Sequence, residues 1–134
     1  MKRLFLVLSF LILVASSCGE KISIVASPHA VPRVQFGVER LSTAVKNAGY
    51  DIMRDSLPVA RGPSDKREEM IIIGTQKDTA ISDLIAQFGF DNLKSDDIGN
   101  EGFVLESKND ITVVIGGDDS GTLYGCMELA DRIT

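Results

Sequence analysis

Tryptophan is absent from this 134-residue chain, histidine occurs once and cysteine twice. Aromatic residues make up only 6%, as two tyrosines and six phenylalanines. Sugar-binding faces usually stack aromatic rings on the sugar, so this shortage counts against autonomous glycan binding. The single histidine, His29, sits in the loop-like stretch SPHAVP. A Ser-His-Asp site would have to use it, and no G-x-S-x-G nucleophile motif is present. A lone loop histidine reads as solvated surface. Zinc is equally unsupported, with no H-E-x-x-H and no cysteine cluster. The chain therefore offers no candidate catalytic residue, metal ligand or cofactor site. Lys and Arg form no cluster, and the formal net charge is −5. That balance argues against nucleic acid and against an anionic membrane surface as partners.

One long apolar run is present, at the start. Lys2 and Arg3 precede LFLVLSFLILVA, followed by the small residues of ASSCGEK. A basic segment, an apolar run and small residues together read as a secretory signal. The run is short of the about 20 residues that span a bilayer. An all-round apolar helix at an extreme N-terminus would also have nothing to pack against. The small residues before Cys18 resemble a bacterial lipobox, in which the cysteine is lipidated and becomes the first mature residue. Ala15 stands where leucine is commonest, and simple cleavage after Ser17 is the rival. The expectation is a lipoprotein-type signal over 1–17 and a mature domain over 18–134, anchored to a bacterial cell envelope through Cys18. Removing Lys2 and Arg3 with the signal leaves 117 of the 134 residues and moves the net charge from −5 to −7. A domain of this size buries about two-thirds of its unfolded surface and needs no staple. Cys126 then has no partner within the chain.

The mature part alternates strand-like and helix-like stretches. KISIVAS, residues 21–27, has strand periodicity. Pro32 suits a first helical turn. Val34, Val38, Leu41, Val45 and Ala48 then form one helical stripe, closed by Gly49. YDIM at 50–53 reads as a short strand, and the polar residues 54–68 as an exposed connection. Met70–Ile73 are apolar on both faces, marking a central strand. Asp78 or Thr79 can cap a second helix with Ile81, Leu84, Ile85 and Phe88 inside and Gly89 at its end. Residues 91–102 are acidic and loop-like. GFVLESKNDITVVIGG reads as a hairpin turning at Asn109-Asp110. A closing helix is capped at Asp119 or Ser120 and buries Leu123, Cys126, Met127, Ala130 and Ile133. The order β-α-β-β-α-β-β-α predicts an α+β domain: a single mixed, largely antiparallel sheet with about three helices on it.

The glycine pair before the closing helix, GGDDSGTLYG, has neither G-x-G-x-x-G spacing nor a Walker lysine. Asp118 and Asp119 would also repel phosphate there. Adjacent acids at a helix start cannot flank a sugar as glycosidase carboxylates do, at about 5–9.5 Å. Asp118, Asp119 and Ser120 are read as helix-capping residues, complementing the helix dipole. Gly121 and Gly125 sit inside the helix around Tyr124, where each glycine costs about 1 kcal/mol against alanine. Something must approach closely there: either the domain's own sheet or a neighbouring domain.

The ordered set Glu101-Gly102-Phe103, Ile115-Gly116-Gly117 and Gly121-Thr122-Leu123-Tyr124-Gly125 resembles the end of a known accessory domain. It is the N-terminal domain of exported glycoside hydrolases such as α-glucuronidases, β-N-acetylhexosaminidases and O-GlcNAcase-like enzymes. The first helix, NAGYDI and IIIGT are similar as well, so the resemblance spans nearly the whole mature chain. It implies a non-catalytic mixed-sheet domain, with catalysis in a (β/α)8 barrel of about 250 residues that these 134 residues do not include. It also makes Gly121, Tyr124 and Gly125 candidate domain-interface residues and predicts an exposed apolar patch where the barrel docks. A free-standing lipoprotein that binds glycan or a partner protein is the alternative.

Overall fold

The computed structural model describes residues 19–56, 68–94 and 97–134. The signal segment 1–17 and the lipidation site Cys18 lie outside them, as does most of the polar connection after the second strand. The described residues form five strands: β1 (Lys21–Ala26), β2 (Asp51–Ser56), β3 (Glu68–Thr75), β4 (Phe103–Lys108) and β5 (Ile111–Gly116). The helices are α1 (Pro32–Asn47), α2 (Thr79–Gln87) and α3 (Asp119–Ile133), with a short 3-10 turn at Asp91–Lys94. The element order is the expected one, with β2 running on through residues first read as connection.

The strands form one mixed sheet in the order β2-β1-β3-β5-β4. The mixed character is as expected, but the largely antiparallel pairing is not. β1 runs parallel to β2 and β3, and β3 parallel to β5; only the β4–β5 hairpin is antiparallel. The reason lies in the connections. Parallel neighbours need a crossover connection, usually a helix, and α1 supplies it between β1 and β2. α2 instead leads from β3 into β4, which runs the other way, and the tight turn after β4 brings β5 back parallel to β3.

Parallel strands bury both faces, and the side-chain pattern follows. Ile22 and Ile24 of β1, Ile71 and Ile73 of β3, and Val114 of β5 face α1 and α3, meeting Val38, Leu41, Val45, Cys126 and Ala130. Val25, Met70, Ile72, Val113 and Ile115 face the other way, onto Ile81, Leu84 and Ile85 of α2 and onto Phe90 and Leu93. Even Ser23, on this second face of β1, is fully buried. Helices thus cover both faces of the sheet within residues 19–134. Phe90 and Leu93 sit in the stretch beside and within the 3-10 turn, which sequence periodicity left as the end of a helix and a loop. Both are core residues.

Local signals explain the helix ends. Pro32 occupies the first turn of α1. Asp78 caps α2, its carboxylate accepting from the N–H groups of Ala80 and Ile81 at 3.1 and 3.3 Å. Asn109 takes a positive φ of 55° in the hairpin turn, a conformation asparagine tolerates.

Candidate functional site

The corner from β5 into α3 is closely packed and hydrogen-bonded. Asp118 is the N-cap: its Oδ1 accepts from Gly121 N–H at 2.8 Å. Its Oδ2 accepts from Glu101 N–H at 3.1 Å, so one carboxylate ties the loop before β4 to the helix start. Gly117 N–H donates to the Gly102 carbonyl at 2.9 Å, completing the seat. Asp119 lies in the first turn. Ser120 is buried, and its hydroxyl receives Arg33 Nη1 of α1 at 2.5 Å instead of capping α3. Among the three acidic or hydroxyl candidates, Asp118 therefore carries the cap.

Thr122, fully buried, points back at the sheet. Its Oγ1 lies 3.0 Å from both the Gly74 carbonyl of β3 and the Asp118 carbonyl. Sequence reasoning passed over it, because a threonine following a glycine has no apolar signature.

The two helix glycines face inward. A Cβ on Gly121 would overlap the Gly102 carbonyl oxygen, and one on Gly125 would lie 2.7 Å from Val114 Cγ1 and 3.3 Å from Phe103 Cβ. Their close approach is to the domain's own loop and strands. The buried side of α3 is correspondingly rotated from the expected one. Gly121, Thr122, Gly125, Cys126 and Ala130 are buried, Leu123 and Ile133 partly so, while Met127 is exposed. Burial in this apolar layer pushes the Cys126 thiol up to about 12.

The outer side of α3 carries Asp131 and the Glu128–Arg132 ion pair, and among them two large apolar side chains. Tyr124 is 43% and Met127 38% exposed. Phe103, against which Gly125 packs, is 36% exposed. On the α1 side Phe36 is 55% exposed, next to Gly37, whose backbone lies against Leu123. Tyr124 and Met127 of α3, Phe103 of β4 and Phe36 of α1 are thus large apolar side chains left exposed. Of the three interface candidates, Tyr124 alone is presented outward.

The hydrogen bonds from Gly121 first, and then Glu101, hold the Asp118 carboxyl below the ordinary aspartate value of 3.8. A depressed folded-state pKa stabilises the domain above the unfolded value, and that contribution is lost as pH falls through the folded value. An Asp118→Asn variant is expected to be less stable than wild type near neutral pH. The gap should close as pH drops below 3.8. Urea midpoints measured across the acid limb check this; a gap independent of pH would rule out the charged cap.

A hollow of about 130 Å³ opens beside this corner, between Ser27, His29, Thr75, Asp78 and Asp119. His29 is exposed at its rim. The Ser27 hydroxyl accepts from the His29 backbone N–H at 3.3 Å, not from the imidazole. Among the described residues no group of three or more His, Cys, Asp or Glu side chains is placed to hold a metal ion. No helix among them is long and apolar enough to cross a membrane.

The sequence profile described as glycosyl hydrolase family 67 N-terminus matches residues 45–129. Among solved structures, the chain is similar to a GH138 enzyme targeting pectin rhamnogalacturonan II. The identity is 22% and the TM-score 0.54, over 84% of this chain and 13% of that one. It is also similar to CpGH84D, with 16% identity and a TM-score of 0.63, over 86% of this chain and 18% of that one. At those identities the likeness shows the fold alone, and the chain spans less than a fifth of either protein. A search of curated proteins finds no match. With the profile covering more than half of its length, including the β4–β5 hairpin and most of α3, the chain belongs to the glycosyl hydrolase family 67 N-terminal domain family.

Proposed function

We propose that this chain is a non-catalytic accessory domain of an exported glycoside hydrolase, held at the cell envelope by a lipid on Cys18. In this reading the outer face of α3 docks a (β/α)8 catalytic domain. The observation that carries it is the exposure of Tyr124 and Met127 on that helix, with the half-exposed Phe103 packed against its Gly125. Covering the exposed part of each such side chain contributes on the order of 1 kcal/mol. Family membership supports the same reading, as does the short span of the two larger glycoside hydrolases that the chain matches. The tight corner beneath the patch gives it a rigid base, so docking orders few side chains and loses little entropy.

The reading is tested with residues 19–134 and the barrel encoded nearest to this reading frame. The domain alone is expected to hydrolyse no aryl glycoside and to bind the barrel. A Tyr124→Glu, Met127→Glu double variant should keep its melting temperature and weaken binding about 30-fold, the effect of losing a central apolar anchor. Glycosidase turnover by the purified domain, or undiminished binding by the double variant, would overturn the proposal.

A further inference from the structure

A second concavity lies away from the α3 corner, between α1 and the edge strand β2. It encloses about 260 Å³, roughly the share of nine liquid waters at about 30 Å³ each. Its floor is apolar, made by Ile24, Ala26 and Val38. Its rim carries three planar polar side chains, Gln35, Glu39 and Arg54.

Those rim groups are held in place. Arg54 Nη1 pairs with Glu39 Oε1 at 2.8 Å. Arg54 Nη2 donates to Ser42 Oγ at 3.3 Å, and the Ser42 hydroxyl in turn donates to the Val38 carbonyl at 2.7 Å. Gln35 Nε2 donates to the Ala30 carbonyl at 2.7 Å, which fixes the orientation of its amide. The remaining capacity is mixed. A guanidinium has five N–H donors, a carboxylate two acceptor oxygens, and an amide an oxygen besides its nitrogen. Donors of Arg54 therefore stand beside acceptors of Glu39 and Gln35, over an apolar floor.

We propose that this groove is a binding subsite for one neutral, polyhydroxylated ring, such as a single pyranose unit. Each ring hydroxyl both donates and accepts, so neighbouring hydroxyls match a donor set beside an acceptor set. The apolar floor meets the C–H face of the ring. The charges of Arg54 and Glu39 cancel one another, so an anionic sugar meets the Glu39 carboxylate and a cationic one the Arg54 guanidinium. The volume admits one ring and not a chain of them. With no aromatic platform, the site is weak, with a dissociation constant on the order of millimolar. The subsite does not depend on the docking face, which lies on α3.

Amide NMR spectra of residues 19–134, titrated with D-xylose, D-galactose, D-glucuronate and D-glucosamine, test it. Saturable shifts are expected at Ile24–Ala30, Gln35–Glu39 and Arg54 with the two neutral sugars. The two charged sugars should bind about fivefold or more weakly, as one charge brought against a paired rim predicts. Arg54→Met, its fold checked by the dispersion of the same spectrum, should weaken neutral-sugar binding about tenfold, a hydrogen-bonding loss. Gln35→Ala serves if that variant does not fold. Absence of saturable shifts at sugar concentrations on the order of tens of millimolar would overturn the proposal. So would shifts confined to the hollow at His29, or equal binding by the rim variants.

Discussion

A Gly121→Ala variant is expected to lose about 3 kcal/mol of stability, the upper range for forcing an extra methyl into a packed site. The sign of the change is informative. In a helix whose glycine is kept only for an outside partner, alanine would stabilise the isolated domain by about 1 kcal/mol. Here the methyl meets the Gly102 carbonyl oxygen, which is backbone and is itself bonded to Gly117 N–H. It cannot swing aside as a flexible side chain would. Relief requires lifting the loop before β4 off the helix, which also stretches the Asp118 bond to Glu101 N–H. In a domain this small, 1 kcal/mol corresponds to about 4–8 °C, so the melting temperature of residues 19–134 should fall by more than about 10 °C. A melting temperature that stayed level or rose would mean that the loop does not sit on the helix in solution.

Phe90→Ala should be comparably damaging, at about 3–5 kcal/mol, the range for removing a buried phenylalanine ring. Phe90 is fully buried just beyond α2. Its N–H donates to the Ile85 carbonyl at 3.1 Å, and its carbonyl accepts from Leu93 N–H at 3.1 Å. The ring joins Ile81, Ile85 and Leu93 to Ile72 and Val113 on the α2 face of the sheet. That face is covered by one nine-residue helix and a 3-10 turn, against two longer helices on the other. Fewer covering elements leave fewer neighbours to close over a cavity. Domains of this size hold about 5–15 kcal/mol in total, so the variant should show a much lower urea midpoint with an unchanged slope. Phe90→Leu, which refills most of the volume, should cost under about 1.5 kcal/mol. Equal losses in the two variants would place the damage in something other than the cavity.

Strong local periodicity and punctuation made most elements legible in the sequence. Of the stripe Val34, Val38, Leu41, Val45 and Ala48 that marks α1, the first four side chains are buried, while Ala48 is the exposed C-cap. Gly49 and Gly89, read as stop signals, both adopt left-handed φ values, 97° and 85°. Strand direction was not legible from periodicity, because alternation looks the same in either sense. The usable clue was Met70–Ile73, apolar on both faces, which is the mark of a strand covered by helices on two sides. The rotation of α3 was missed for a related reason. A search for large apolar residues passes over Gly121, Thr122 and Gly125, yet these small residues are what lets the helix lie close to β5 and the loop. Met127 then turns outward, and with Tyr124 it forms the exposed face. The rim of the α1–β2 groove was invisible in sequence, since Gln35, Glu39 and Arg54 converge only once β2 pairs with β1.

The strand order has a kinetic consequence. β1 is sandwiched between β2 and β3, so Ile24 faces Arg54 and Ile71, 30 and 47 positions further along. β5 in turn needs Ile72 of β3 opposite Val113, 41 positions on. Distant pairings of this kind slow the search for the native arrangement, towards milliseconds to seconds. At about 5–20 residues synthesised per second, the first strand made waits several seconds before its second neighbour exists. Only the β4–β5 pairing is local in sequence, and because β5 sits between β3 and β4 the sheet cannot be completed until that late hairpin has been made.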